Sequence, residues 1–81
     1  MNRFEAEIKL RHVGAMLIED DARCKVIGRR LSDIADRMRE PPIGARRREV
    51  FDVAAIVQGM GKPELAEELR DIARDEMRVY R

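Results

Sequence analysis

Apolar residues recur at intervals of three and four along the whole chain. That spacing lines one side of a 3.6-residue helix, and no segment keeps the strict alternation of a half-buried strand. The pattern predicts four helices, at about residues 3–19, 21–40, 44–60 and 63–79, and hence an all-α, four-helix bundle-like single domain over residues 1–81. The first helix carries two apolar rows, one through Ala6, Leu10, Val13 and Leu17 and another through Phe4, Ile8 and Ala15. Its second half, VGAMLI, has no polar side chain, which places it between neighbours or at a subunit contact. Gly14 in that stretch leaves room for a second backbone.

The second helix has a narrower stripe through Cys24, Ile27, Leu31, Ile34, Ala35 and Met38, opposite Arg29, Asp33, Asp36 and Arg37. Asp20 and Asp21 are positioned to cap its first amides, and Pro41 and Pro42 stop it. The third carries Val50, Val53, Ala54, Val57 and Met60, with Phe51 and Ile56 on its flanks. Gly59 and Gly61 mark its end, and Pro63 opens the fourth helix at the first helical position. In that last helix Leu65, Leu69, Ile72 and Ala73 form the inner face, with Ala66, Met77 and Tyr80 at its edge. An acidic row, Glu67, Asp71 and Asp75, runs beside an arginine row, Arg70, Arg74 and Arg78. Glu76 falls inside the apolar stripe, so either the helix frays before it or the carboxylate meets an arginine.

The faces of the first and third helices are wider than a lone bundle of 81 residues needs, and a domain of this size gains stability from association. A homo-oligomer is therefore expected, with Phe4, Ile8, Leu17, Ile18, Phe51 and Ile56 at its interface.

Composition narrows the function classes. With 44% apolar and 41% charged residues the chain is expected to be soluble and ordered, and no apolar run approaches the roughly 20 residues that span a bilayer. The mixed, acidic MNRFEAEIKL start is unlike a signal peptide, so the expected location is the cytoplasm. One cysteine, Cys24, and one histidine, His12, cannot make an internal disulfide or the usual zinc ligand set. No cofactor or metal is expected. The two residues also lie on differently patterned faces and do not read as a nucleophile and base. There is no glycine-rich phosphate loop and no triad, so no enzyme activity is expected.

Charge is unevenly spread: residues 1–20 carry a net −1, residues 21–48 a net +5 and residues 49–81 a net −3, and 14 of the 17 basic residues are arginine. Three of them, Arg46, Arg47 and Arg48, sit where the third helix begins, although a helix N-terminus mildly disfavours cations. Either this cluster, with Arg39 and Arg30, binds an external anion, or Glu40, Glu49, Asp52 or the acidic row of the last helix answers it internally. A helix-turn-helix reading of residues 53–73 fits only in part through Ala55, Gly59 and Leu65, and its reading helix would open with Glu64, Glu67 and Glu68, which repel DNA. Nucleic acid would have to use the basic middle, Arg23, Lys25, Arg29, Arg30, Arg37, Arg39 and the triplet, where no aromatic residues interleave.

The expected function is a non-enzymatic helical interaction module: a regulator, adaptor or inhibitor that binds itself and another protein. The alternative is an anion binder, for nucleic acid or a phosphorylated small ligand, built on the basic middle.

Overall fold

In the structure, a computed structural model, residues 3–38, 40 and 42–77 are described. Four helices follow one another: α1 (Arg3–Ile18), α2 (Ala22–Asp36), α3 (Ile43–Gly59) and α4 (Pro63–Asp71), the last continued by a π-turn over Ile72–Glu76. No strand occurs among the described residues, and none of their helices is long and apolar enough to cross a membrane.

The helices pack as two hairpins, α1 on α2 and α3 on α4. Ile18 and Gly14 of α1 meet Gly28, and Arg11 of α1 bonds Asp36 near the end of α2, so α1 and α2 run antiparallel. Their backbones touch where glycine faces glycine. A methyl group built on Gly28 would lie 2.5 Å from the Gly14 carbonyl oxygen and 2.8 Å from Ile18 Cγ1. One on Gly14 would lie 2.9 Å from the Gly28 carbonyl oxygen. Only residues without a Cβ allow this approach.

The core draws one row from each helix. Ala6, Leu10, Val13 and Leu17 of α1 meet Leu31, Ile34, Ala35 and Met38 of α2, Val50, Val53, Ala54 and Val57 of α3, and Ala66, Leu69 and Ala73 beyond them, all essentially inaccessible. No polar or charged residue among those described is buried. The Cα radius of gyration is 11.6 Å, against about 11.7 Å expected for a chain this long.

The ends of the helices are set by local chemistry. Asp21 caps α2 by accepting the Cys24 amide at 2.9 Å. α2 stops at Asp36, short of the expected residue 40: the Arg37 amide already bonds back to both Asp33 and Ile34, and the chain turns ahead of the prolines. α3 ends in a Schellman arrangement, with Gly61 at φ 83°, its amide on the Gln58 carbonyl and the Lys62 amide on the Val57 carbonyl. Pro63 then starts α4.

The predicted fourth helix is not a single α-helix. The π-turn adds residues to the last winding, which rotates Glu76 from the inner stripe to its rim while Met77 stays fully buried. There Glu76 accepts from Lys9 of α1 at 2.7 Å. Neither sequence expectation for Glu76 holds: the winding widens where fraying was expected, and the cation is lysine. Tyr80 lies outside the described residues.

The glycine contact yields a paired prediction. G28A forces α1 and α2 apart and lowers stability by about 2 kcal/mol in urea unfolding, overpacking outweighing the helix propensity gained. At Gly59 an added methyl group meets nothing within 4 Å, so G59A raises stability by about 0.5 kcal/mol.

Candidate functional site

The arginine triplet divides. Arg46 has only 12% of its side chain exposed and lies between Glu49 at 3.3 Å and Glu40 at 3.8 Å. Its Nε is buried without a hydrogen-bond partner. Glu49 also accepts from Arg37 at 3.2 Å, so two guanidinium groups share one carboxylate. Arg47 points the other way. Its Nε donates to the Ala73 carbonyl at 3.0 Å, and its guanidinium carbon lies 5.0 Å from the centre of the Phe51 ring. Ala73 belongs to the last winding of the chain's final helix, where carbonyls lack helical partners and the dipole favours a cation. A residue mildly disfavoured by its own helix thus caps another one. Arg48 is exposed and makes no ion pair with any described residue. The predicted anion cluster therefore keeps one outward arginine of three, and Arg39 lies outside the described residues.

The other described cations without an ion-pair partner among the described residues lie on α2: Arg23, Lys25, Arg29 and Arg30, all exposed. Arg30 belongs to the expected anion set; α2 and α3 pack against each other, and Arg37, just past the end of α2, reaches Glu49, the carboxylate that also holds Arg46.

At the turn between α1 and α2, oxygen atoms of Asp20 and Asp21 and the Cys24 sulfur lie within 4.8 Å of one another. Each is already engaged. Asp20 accepts the Asp21 amide at 2.9 Å and pairs with Lys62 at 2.5 Å, which ties this turn to the one between α3 and α4. The Cys24 amide bond and the Arg23 charge hold the Asp21 carboxyl below its usual range. Burial, then the neighbouring Asp21, pushes the Cys24 thiol up, away from the thiolate that nucleophilic chemistry needs. His12 is exposed on α1 while Cys24 is buried under α2.

The predicted oligomer residues separate by row. Leu17 is fully buried inside the chain and leaves the interface set, because its row, with Ala6, Leu10 and Val13, is the one buried in the core, where α1 packs on α2, α4 and the π-turn. Phe51 is half-covered, lying against the core with Arg47 over its ring. Ile18 is half-buried against Gly28. Ile56 stands 39% exposed on α3. Phe4 and Ile8, by contrast, are 64% and 53% exposed, and with exposed Ala15 they form one stripe on the side of α1 turned away from the core.

Cavities add little chemistry. One of about 360 Å³ is lined by the consecutive residues Gly61 to Leu65 of a single turn. Another, of about 190 Å³, lies between Lys9 and the acids Glu68, Asp71, Asp75 and Glu76. Neither gathers a nucleophile, a base and an orienting partner. No protein-family model, curated protein or solved structure matches the chain.

Two tests follow. R46E places a third carboxylate between Glu40 and Glu49 and should cost roughly 2–3 kcal/mol in urea unfolding, whereas R48E should change stability by no more than about 0.5 kcal/mol. Because the folded-state pKa of Asp21 is depressed, its stabilisation is complete above the unfolded value and is lost as pH falls through the lowered one. D21A should therefore lower the urea midpoint at pH 7, and the gap from wild type should shrink below about pH 3.9.

Proposed function

We propose that this chain is a non-enzymatic helical interaction module, acting in the cytoplasm as a regulator, adaptor or inhibitor by gripping another protein chain through the outer face of α1. The observation that carries the reading is the exposed stripe of Phe4, Ile8 and Ala15 on a domain whose core is already closed. Single exposed apolar side chains are ordinary, but three aligned on one helix form a docking strip. Covering a side chain of the Phe or Ile class stabilises a complex by roughly 1.5–3 kcal/mol.

A second reading, anion binding by the basic middle, draws on Lys25, Arg29, Arg30 and Arg48. It is weakened by the internal engagement of Arg46 and Arg47 and by the exposed carboxylates of Asp33 and Asp36 farther along α2.

One experiment separates the two. A photo-crosslinking phenylalanine analogue is placed at position 4, and in a control at the exposed Asp52 of α3, in cells that produce the protein. Protein adducts formed from position 4 and not from position 52 support the interaction module. Adducts confined to nucleic acid favour the second reading, and no protein adduct from position 4 removes the first.

A further inference from the structure

We infer that the first half of α2 is a second docking face, and that its occupant is an acidic peptide segment of another protein, crossing the helix over Val26. The inference goes beyond the α1 strip, because it uses a different helix and names the chemistry of the partner.

Its starting point is charge that the fold leaves over. Arg23, Lys25, Arg29 and Arg30 are exposed, and no described carboxylate lies within ion-pair distance of any of them. Every other cation whose side chain is described, Arg48 apart, is held by a carboxylate or, for Arg47, by a carbonyl. The carboxylates that flank the four are already engaged within the chain. Asp33 pairs with Arg37 at 2.9 Å, Asp36 with Arg11 at 2.6 Å and Asp20 with Lys62 at 2.5 Å, while Asp21 accepts the Cys24 amide. Past either end of the group, positive charge is therefore matched.

Helical geometry sorts the four into two rows. At about 100° per residue, Arg23 and Arg30 share one side of α2 and Lys25 and Arg29 another, roughly 130° away, with Val26 between them. Val26 is 66% exposed. From Arg23 to Arg30 the rows run about 10 Å along the axis. The face is thus a short convex ridge, apolar at its crest and cationic on both flanks.

That shape selects among anions. A flat bilayer cannot meet both rows at once, since they point too far apart. A nucleic acid strand, with a phosphate at about every 3.4 Å of axis, continues past both ends of the ridge and brings no apolar group to Val26. Nor does α2 carry an aromatic residue on which bases could stack. A peptide supplies both chemistries. Alternate residues of an extended segment face the same way at about 7 Å spacing, so an apolar residue over Val26 sets acidic residues on either side of it, above the two rows. There the guanidinium groups meet carboxylates in their paired fork geometry.

The test titrates the isotope-labelled full chain with a peptide that carries leucine between two runs of glutamate, following backbone amide shifts by NMR. Shifts concentrated on residues 22–30, saturating at submillimolar peptide and fading as salt rises, support the inference. The same peptide with glutamine in place of glutamate should bind about tenfold more weakly or worse. R23E/R30E and K25E/R29E should each cost the acidic peptide about tenfold in affinity, and V26S about fivefold. The wild-type shift map stands without these variants, so one that fails to fold does not decide the outcome. Absence of shifts on α2, equal shifts from the glutamine peptide, or tighter binding of a short DNA duplex or of phosphatidylserine vesicles to the same residues overturns the inference. Shifts on α1 alone also overturn it, and with a persisting protein crosslink from position 4 they leave the interaction module standing without this face.

Discussion

The contact between Gly14 and Gly28 governs the arrangement of everything else. Two backbones that meet without intervening side chains bring α1 and α2 closer than any other residue pair would permit. Once α2 occupies that side of α1, only one remaining direction points into the molecule, and the row of Ala6, Leu10, Val13 and Leu17 takes it, toward α4 and the π-turn. Phe4, Ile8 and Ala15 are then left outward by geometry. The exposed stripe and the tight helix pair are thus one design decision, not two.

Around this framework, polar contacts orient the hairpins relative to each other. Lys62 with Asp20 joins the two turns, Lys9 with Glu76 joins α1 to the end of the chain, and Arg37 and Arg46 meet on Glu49 across the α2–α3 connection. These groups are mostly half-exposed or exposed, where ion pairs add little stability. Their effect is on registry: each links elements far apart in sequence at the rim of an apolar core that by itself would tolerate sliding. Arg47 belongs to the same set but works through a carbonyl, finishing the helix whose last winding has opened into a π-turn.

Much of this was legible in the chain. Periodicity gave the helices and their inner rows, and the residues with fixed local chemistry, Asp21, Gly61 and Pro63, marked boundaries where the structure has them. Gly14 could be identified as a place for close approach, although nothing in its own segment named Gly28 as the partner. Contacts between distant positions were beyond reach. Two apolar rows on α1 look alike in sequence, so Leu17 was grouped with Phe4 when only tertiary packing tells them apart. The triplet announced a need for compensation, yet the Arg47 partner is a backbone carbonyl 26 residues away, and carbonyls carry no sequence signal. Glu76 looked like a conflict because a uniform 3.6-residue winding was assumed, and its resolution needed both a wider turn and a lysine 67 residues earlier.

Arg47 also constrains how the sequence can drift. Its planar group presents a face to Phe51 while an edge nitrogen reaches Ala73, a double engagement that a rotating ammonium cannot reproduce. Exchange between arginine and lysine, the commonest neutral swap between cations, is therefore closed at this position and open at its neighbour Arg48, whose side chain is exposed. Among descendants of this chain, adjacent and chemically identical residues would diverge at different rates.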